Sequence, residues 1–468
     1  TEVMYHAADW EQFRGGDLEF IEIRNASASE MDLSGVHFTE GIRHTFPLGT
    51  ALGPRSFAVL ASNAEAFRAR YPNVPLSGVY EGSLSNTGEP VTLVHATGAQ
   101  IESLAFGDQA PWPEAADGLG FSLVRTPGDR PSGLNDPSGW RASARVGGSP
   151  GTEDLEPTVD RMWITEVYAS ASEPAMNGIE LWNPSDHPVD VSHWFLSDDR
   201  AVPRKYRIAP GTSIPGGGFF VLNQSVFAQS VGGFAGFELN ARGGLVTLNS
   251  ADSAGELTGT SQIVWFGVSE VGVSFGRQVL GDGQVHFVAQ TKPALGAPNP
   301  GPLVGPVVIN EIQFHPPAGA VEFVELKNLS NAPVNFRPTT AGSVSWRLNG
   351  IGYEFPQDSQ IPAGGILLVV GGDPGLFRMR WGIPDSVPVL GPFQGILQDG
   401  GELLELQRTV GDANSVTSAL NGEYVTVDAV RYDNQPPWPA DAVGGGASLE
   451  RLKSGSYGND PGNWRSSP

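Results

Sequence analysis

The sequence predicts an all-β chain built as antiparallel sandwiches, and three observations carry that expectation. Glycine (61) and proline (38) make up about a fifth of 468 residues while charged residues are 17%, a balance that favours frequent turns over long helices. Apolar stretches are short and alternate with polar positions, the pattern of strands buried on one face. The same strand-and-turn order then returns three times along the chain, and a repeat of this length sets the architecture before any single element does.

The repeat is plainest around Glu22. Glu19-Phe20-Ile21-Glu22-Ile23-Arg24-Asn25 has counterparts in Gly178-Ile179-Glu180-Leu181-Trp182-Asn183 and Glu322-Phe323-Val324-Glu325-Leu326-Lys327-Asn328, spaced about 150 residues apart. A strand precedes each: Glu2-Val3-Met4-Tyr5, Ile164-Thr165-Glu166-Val167-Tyr168 and Ile309-Asn310-Glu311-Ile312. Phe46-Pro47, Ala209-Pro210 and Phe355-Pro356 each lead through a turn into an apolar strand, at Phe57–Leu60, Phe219–Leu222 and Ile366–Val370. Leu84, Leu239 and Leu397 open the next turn, and Val91–Val94, Leu245–Leu248 and Leu403–Leu406 follow as strands. Pro111-Trp112-Pro113 pairs with Pro437-Trp438-Pro439, and Trp140 with Trp464.

Two Gly/Pro segments, Gly147 to Pro157 and Gly296 to Pro306, cannot continue a ladder or a helix and read as linkers, the second stiffened by its prolines. They divide the chain into expected units at 1–155, 156–302 and 303–468. Within a unit, Ile21 and Ile23 point to the core and Phe20, Glu22 and Arg24 to the opposite face. Helices are expected only at Ala64 to Arg70, Gln224 to Ser230 and Pro374 to Trp381.

These residues resemble the lamin tail domain, an immunoglobulin-like β-sandwich found at the end of nuclear lamins and, as a module, in many secreted bacterial proteins. The resemblance rests on the acid-aliphatic-Asn strand, on Asn183-Pro184-Ser185-Asp186 with Val189 to Trp194, and on Met31-Asp32-Leu33-Ser34-Gly35. It rests also on the Phe-Pro turn, on Ile214-Pro215-Gly216-Gly217-Gly218 and Ile361-Pro362-Ala363-Gly364-Gly365, and on the Pro-Trp-Pro and Asn-Trp blocks. It implies three tandem immunoglobulin-like sandwiches. The second copy departs at Ile263 to Gly267, where Pro-Trp-Pro would stand, and the third at Pro338 to Arg347.

Chemistry is harder to find. A net charge of −23 with no basic run argues against nucleic acid, and no stretch is long and apolar enough for a membrane helix. The chain has no cysteine, which removes thiolate nucleophiles and thiolate metal sites. Eight histidines are scattered, and no nucleophile elbow, Walker loop or dinucleotide fingerprint is present. The acid pairs Glu19 and Glu22, Asp198 and Asp199, and Glu402 and Glu405 read as solvated strand or turn acids rather than as acid and base. Glu22, Glu180 and Glu325 recur in register, which points to a structural task, and Asn25, Asn183 and Asn328 read as turn formers. Trp112 and Trp438 offer either core packing or platforms for polysaccharide. Calcium is the one ligand the charge balance invites, with Asp198-Asp199, Gly281-Asp282-Gly283 and Gly411-Asp412-Ala413-Asn414 as loop candidates.

No catalytic or cofactor-binding residue is assigned from the sequence, and no metal ligand is fixed. The leading expectation is a non-catalytic extracellular or cell-surface protein of spacer, adhesion or assembly modules, whose partners are other proteins or its own copies. Glu2 already falls inside the first strand, so the same reading expects a longer parent chain. The alternative is a carbohydrate- or calcium-dependent binding module of a secreted enzyme. A nuclear lamina role fits poorly, because the heptad rod is missing and a lamin carries one tail domain.

Overall fold

The computed structural model describes residues 1–109, 111–126, 133–156, 161–173, 176–281, 283–337, 345–410 and 423–468. Nearly all regular structure is antiparallel strand, and the strands fall into three successive sets with one topology. In the first, a sheet runs in the order Trp140–Ala142, Leu123–Arg125, Glu2–Met4, Phe20–Arg24, Phe57–Ala61, Gly78–Val79. In the third, Trp464–Ser466, Leu449–Arg451, Val307–Gln313, Phe323–Asn328, Ile366–Val370 and Val389–Leu390 repeat that order strand for strand. The second set has a five-stranded counterpart centred on Trp163–Tyr168 and Gly178–Trp182.

A smaller sheet lies against each of these. Its longest hairpins are Gly88–Val94 with Gln100–Gly107, Gly244–Ala251 with Leu257–Phe266, and Gly401–Thr409 with Tyr424–Asp433. Side chains from both sheets meet between them: Ile21 and Leu60 with Phe38, Leu93 and Leu104 in the first set, and Leu326 and Leu367 with Leu348 and Leu404 in the third. This is the sandwich arrangement, two sheets sharing one apolar layer.

The outer face of the larger sheet is not left to solvent, which corrects the two-sided reading of the Glu22 strand. Phe20 is fully buried and packs edge-on to Phe67 of the helix Ala64–Arg70, and Phe323 meets Phe377 of the helix Pro374–Trp381 in the same way. Both helices begin where the sequence predicts, because the Asn63 carboxamide oxygen caps the amides of Glu65 and Ala66 and the Asp373 carboxylate caps that of Leu376. The second set's helix is shorter than expected, Gln224–Phe227 instead of reaching Ser230, since Gly232 and Gly233 follow with positive φ in a turn back to the sheet. Ile263 to Phe266, the departure in the second copy, continues the long strand Leu257–Phe266 instead of turning. Of the departure in the third copy, residues 338–344 lie outside the described residues, and Trp346–Asn349 is a strand.

Neighbouring sets touch. Ala115, Phe121 and Ala142 bury against Phe195, Ala251 and Leu257, the Glu114 carboxylate accepts the Ile263 amide at 2.7 Å, and Arg200 pairs with Asp117. Further on, Val410 and Val425 pack with Ala241 and Val268, and Arg408 meets Glu270 at 2.6 Å.

Candidate functional site

The recurring glutamates sit in pairs, one from each of the first two long strands of a set. Register places Glu2 opposite Glu22, Glu166 opposite Glu180, and Glu311 opposite Glu325. Like charges directly opposed across a ladder repel, and burial raises the cost of ionising either. The first two pairs are nonetheless at most 2% exposed. The reading of Glu19 and Glu22 as solvated acids is therefore overturned, since both are buried.

What holds them is a repeated set of donors. Thr1, Thr165 and Asn310, each just before the first glutamate of a pair, donate a side-chain hydrogen bond to the second one, at 2.7, 2.7 and 2.8 Å. In the second and third sets the donor occupies a β-bulge, where the extra residue is free to lean across the ladder. Ser122, Ser274 and Ser448 donate their hydroxyls to Glu2, Glu166 and Glu311 from the strand on the other side or its leading edge.

The main chain of the Gly/Pro segments completes two of the three sites. The Ser149 amide donates to Glu2 at 2.9 Å and the Gly151 amide to Glu22 at 2.7 Å. The Ala294 amide donates to Glu166 at 2.9 Å and the Gly296 amide to Glu180 at 2.5 Å. In both cases the two amides are two residues apart, and both carboxyls of the pair are closed by one short piece of backbone. Gly148 fits this close approach because a Cβ there would lie 2.2 Å from a Glu2 oxygen, and its φ is +73°. Burial pushes the Glu2 carboxyl up to about 7, against the opposing effect of the Ser122 and Ser149 bonds. Glu22, Glu166, Glu180, Glu311 and Glu325 are likewise held above the ordinary glutamate value, chiefly by burial.

The asparagines that follow are equally regular. The Asn183 carboxamide donates to the carbonyls of His187 and Ile214 and accepts from the amide and hydroxyl of Ser185, all between 2.7 and 3.0 Å. Asn25 and Asn328 repeat this with Ser27 and Ser330. Each pins the loop after its strand.

The other acids have local duties. Glu19 accepts the Leu84 amide at 2.8 Å and the Tyr80 hydroxyl at 3.1 Å, and Glu402 accepts the Gln398 amide and the Tyr432 hydroxyl. Glu405 takes Asn349, Gln407 and Thr426. Asp198 carries the Lys205 ammonium at 2.6 Å and Asp199 accepts the Ala201 amide, so a cation already occupies this calcium candidate. Asp282 and the segment Gly411 to Asn414 lie outside the described residues. Among the described residues no group of three His, Asp or Glu side chains converges in a way that could hold a metal ion. Trp438 is 7% exposed and tilts against Trp464, so its face is spent on the core, while Trp112 packs in the same way on Trp140 and is half-buried.

Glu22, Glu180 and Glu325 were legible as a recurrent feature, but their partners Glu2, Glu166 and Glu311 were not. The available signal was the Thr/Asn-Glu dipeptide in three copies, Thr1-Glu2, Thr165-Glu166 and Asn310-Glu311.

Paired antiparallel sheets around one core, with a helix closing an outer face, define an immunoglobulin-like β-sandwich protein. Residues 1–108 match the family model described as Lamin Tail Domain, an immunoglobulin-like fold compatible with a structural module. Comparison with curated proteins and with solved structures returned no match. Among the described residues no helix is long and apolar enough to cross a membrane.

Proposed function

We propose that the chain is a non-catalytic structural protein of three tandem lamin-tail-like sandwiches, at 1–155, 156–302 and 303–468, serving as a stiff spacer or assembly unit of an extracellular or cell-surface protein. One observation carries this reading: both Gly/Pro segments are ligands of the carboxyl pair in the sandwich they leave, through Ser149 with Gly151 and Ala294 with Gly296. A linker fixed at its root leaves few free residues to act as a hinge. The contacts of Phe121 with Phe195 and of Arg408 with Glu270 add to the stiffness on either side of the second sandwich. Carboxyl groups whose oxygens are all taken by donors are suited to holding the chain and poorly suited to proton transfer. The repeated task of the first two pairs is thus mechanical.

Small-angle and light scattering over a dilution series test the proposal. A spacer gives a rod-like distance distribution with one set of dimensions at all concentrations, and an assembly unit gives particles that lengthen with concentration. A broad, flexible-chain profile at every concentration would overturn both forms of it.

A further inference from the structure

We propose that the first sandwich carries a binding site for a small branched aliphatic carboxylate, in a cavity of about 80 Å³ walled by Met4, Ala7, Trp10, Leu18, Arg70 and Tyr71. The inference goes beyond the spacer reading and stands independently of it.

The wall is an addition to the shared fold. Residues 5–19 join the first two strands of this set, where the shorter connections 169–177 and 314–322 serve in the other two. Within the longer connection Trp10 and Phe13 exchange both main-chain hydrogen bonds, at 3.0 and 2.9 Å, and their rings lie nearly parallel, so the Trp10 ring is held in place. Leu18 closes the connection and is buried with Met4, Ala7 and Phe20 beside Ala66 and Phe67 of the helix Ala64–Arg70. Gly147 lines the cavity from the opposite side and its carbonyl accepts the Tyr71 hydroxyl. A loop elaboration that encloses space on a rigid sheet is where binding residues concentrate.

Arg70 supplies the charge. Its guanidinium stands 5.0 Å from the centre of the Trp10 ring and 5.8 Å from that of Tyr71, and its Nε donates to the Tyr71 hydroxyl at 3.3 Å. Among the described residues its two terminal nitrogens meet neither a carboxylate nor a carbonyl. Arg380, the counterpart in the third set, also stands over the aromatic ring that follows it, but donates to the Gly319 carbonyl. The acid on the cavity wall, Asp9, is already engaged by Arg14 at 2.7 Å and by the Gly15 amide at 2.9 Å. A carboxylate matches the free edge of the Arg70 fork with two parallel hydrogen bonds, while Met4, Ala7 and Leu18 offer an apolar surface for what the carboxylate is attached to. The cavity has room for roughly five to eight waters, so a ligand body of about that many heavy atoms fits, the size of isovalerate. Such a group comes either as a free acid or as the aliphatic last residue of a polypeptide.

The test uses the full chain with isotope-labelled methionine methyls, whose five signals include Met4 in the cavity wall and Met162 and Met379 elsewhere. Isovalerate should shift the Met4 signal saturably and leave Met162 and Met379 in place. Arg70→Gln should weaken this binding about tenfold or more, and Val146→Phe, at the exposed rim of the cavity, should block it. Unchanged Met162 and Met379 signals show that both variants remain folded. A short peptide ending in leucine, with its carboxylate free or amidated, separates the two sources: tighter binding of the free form than of isovalerate identifies a polypeptide terminus, and binding of isovalerate alone identifies a free acid. No saturable shift at Met4 with either ligand, an equal shift with sulfate, or binding that Arg70→Gln and Val146→Phe leave unchanged would overturn the assignment.

Discussion

Glu166 stands directly across the ladder from Glu180 with both side chains fully buried, and the amides of Ala294 and Gly296 reach one to each. Two like-charged groups in apolar surroundings persist only where donors satisfy them or a proton neutralises one. The arrangement turns an unfavourable pair into a clamp, because removing the linker backbone would leave two buried carboxyls short of partners. Gly296 itself sits at φ +91°, a conformation that favours glycine, and the prolines limit the alternatives open to the freed chain.

Glu180→Gln and Glu180→Ala should separate the two parts of this clamp. Glutamine can accept the Gly296 amide with its oxygen and donate to Thr165 with its nitrogen, so its cost should be within about 1 kcal/mol. Alanine leaves the Gly296 N–H unpaired and the Thr165 hydroxyl with only the Glu180 carbonyl at 3.5 Å, and should cost about 3 kcal/mol. Hydrogen exchange at Gly296 reads the local effect: fast in the alanine variant and near native in the glutamine variant. Equal exchange in all three proteins would mean that the carboxyl does not hold the linker.

Asn183→Ala should destabilise by about 2 to 4 kcal/mol, since the fully buried carboxamide serves two carbonyls and two donors at once. Chemical denaturation gives the magnitude. Asn183→Asp keeps the acceptor for Ser185 but turns the donor face into an acceptor against two carbonyls, so it should fare no better than alanine. A near-neutral result for either would show that the loop holds without this bond set.

The sequence made visible what depends on local pattern. Asn63 and Asp373 announce their helices because an N-cap acts over three residues, and the strands around Glu22, Glu180 and Glu325 declare themselves by alternation. Phe20 was misplaced because its cover comes from Phe67, more than 40 residues on, and alternation assigns a face without saying what lies against it. The carboxyl pairs were half legible for the same reason. Glu22 shows as a repeat, yet its apposition to Glu2 depends on register, and the amides of Ser149 and Gly151 carry no side-chain signature at all.

Phe121→Asp should loosen the first sandwich from the second while sparing each core. Phe121 is 1% exposed, and its apolar neighbours Phe195, Ala251 and Leu257 come from the following set. An aspartate there would be left facing apolar surface. Scattering should show a larger radius of gyration with unchanged far-ultraviolet circular dichroism. Identical dimensions in the variant would mean that the linker alone fixes the angle between the two.

Stability should decline as pH rises from about 5 to about 8. Burial holds Glu2, Glu19 and Glu114 up at about 7, against 4.5 for an ordinary glutamate. Between those values the folded chain keeps protons that the unfolded chain has lost, so deprotonation favours unfolding there. The contribution of these groups is fully present below 4.5 and is lost as pH passes through about 7. Exposed Asp32, Asp186 and Asp190 are lowered by their hydrogen bonds and act in the opposite sense, but only below the ordinary aspartate value of 3.8. The optimum therefore falls on the acid side of neutrality, and the melting temperature at pH 5 should exceed that at pH 8 by roughly 5 °C or more. Glu2→Gln removes one of the three titrations while keeping an acceptor for Ser149, so its melting temperature should vary less with pH than that of the parent. A parent profile that is flat or rises over this range would show that these carboxyls are ionised in the folded protein, with their donors outweighing the effect of burial.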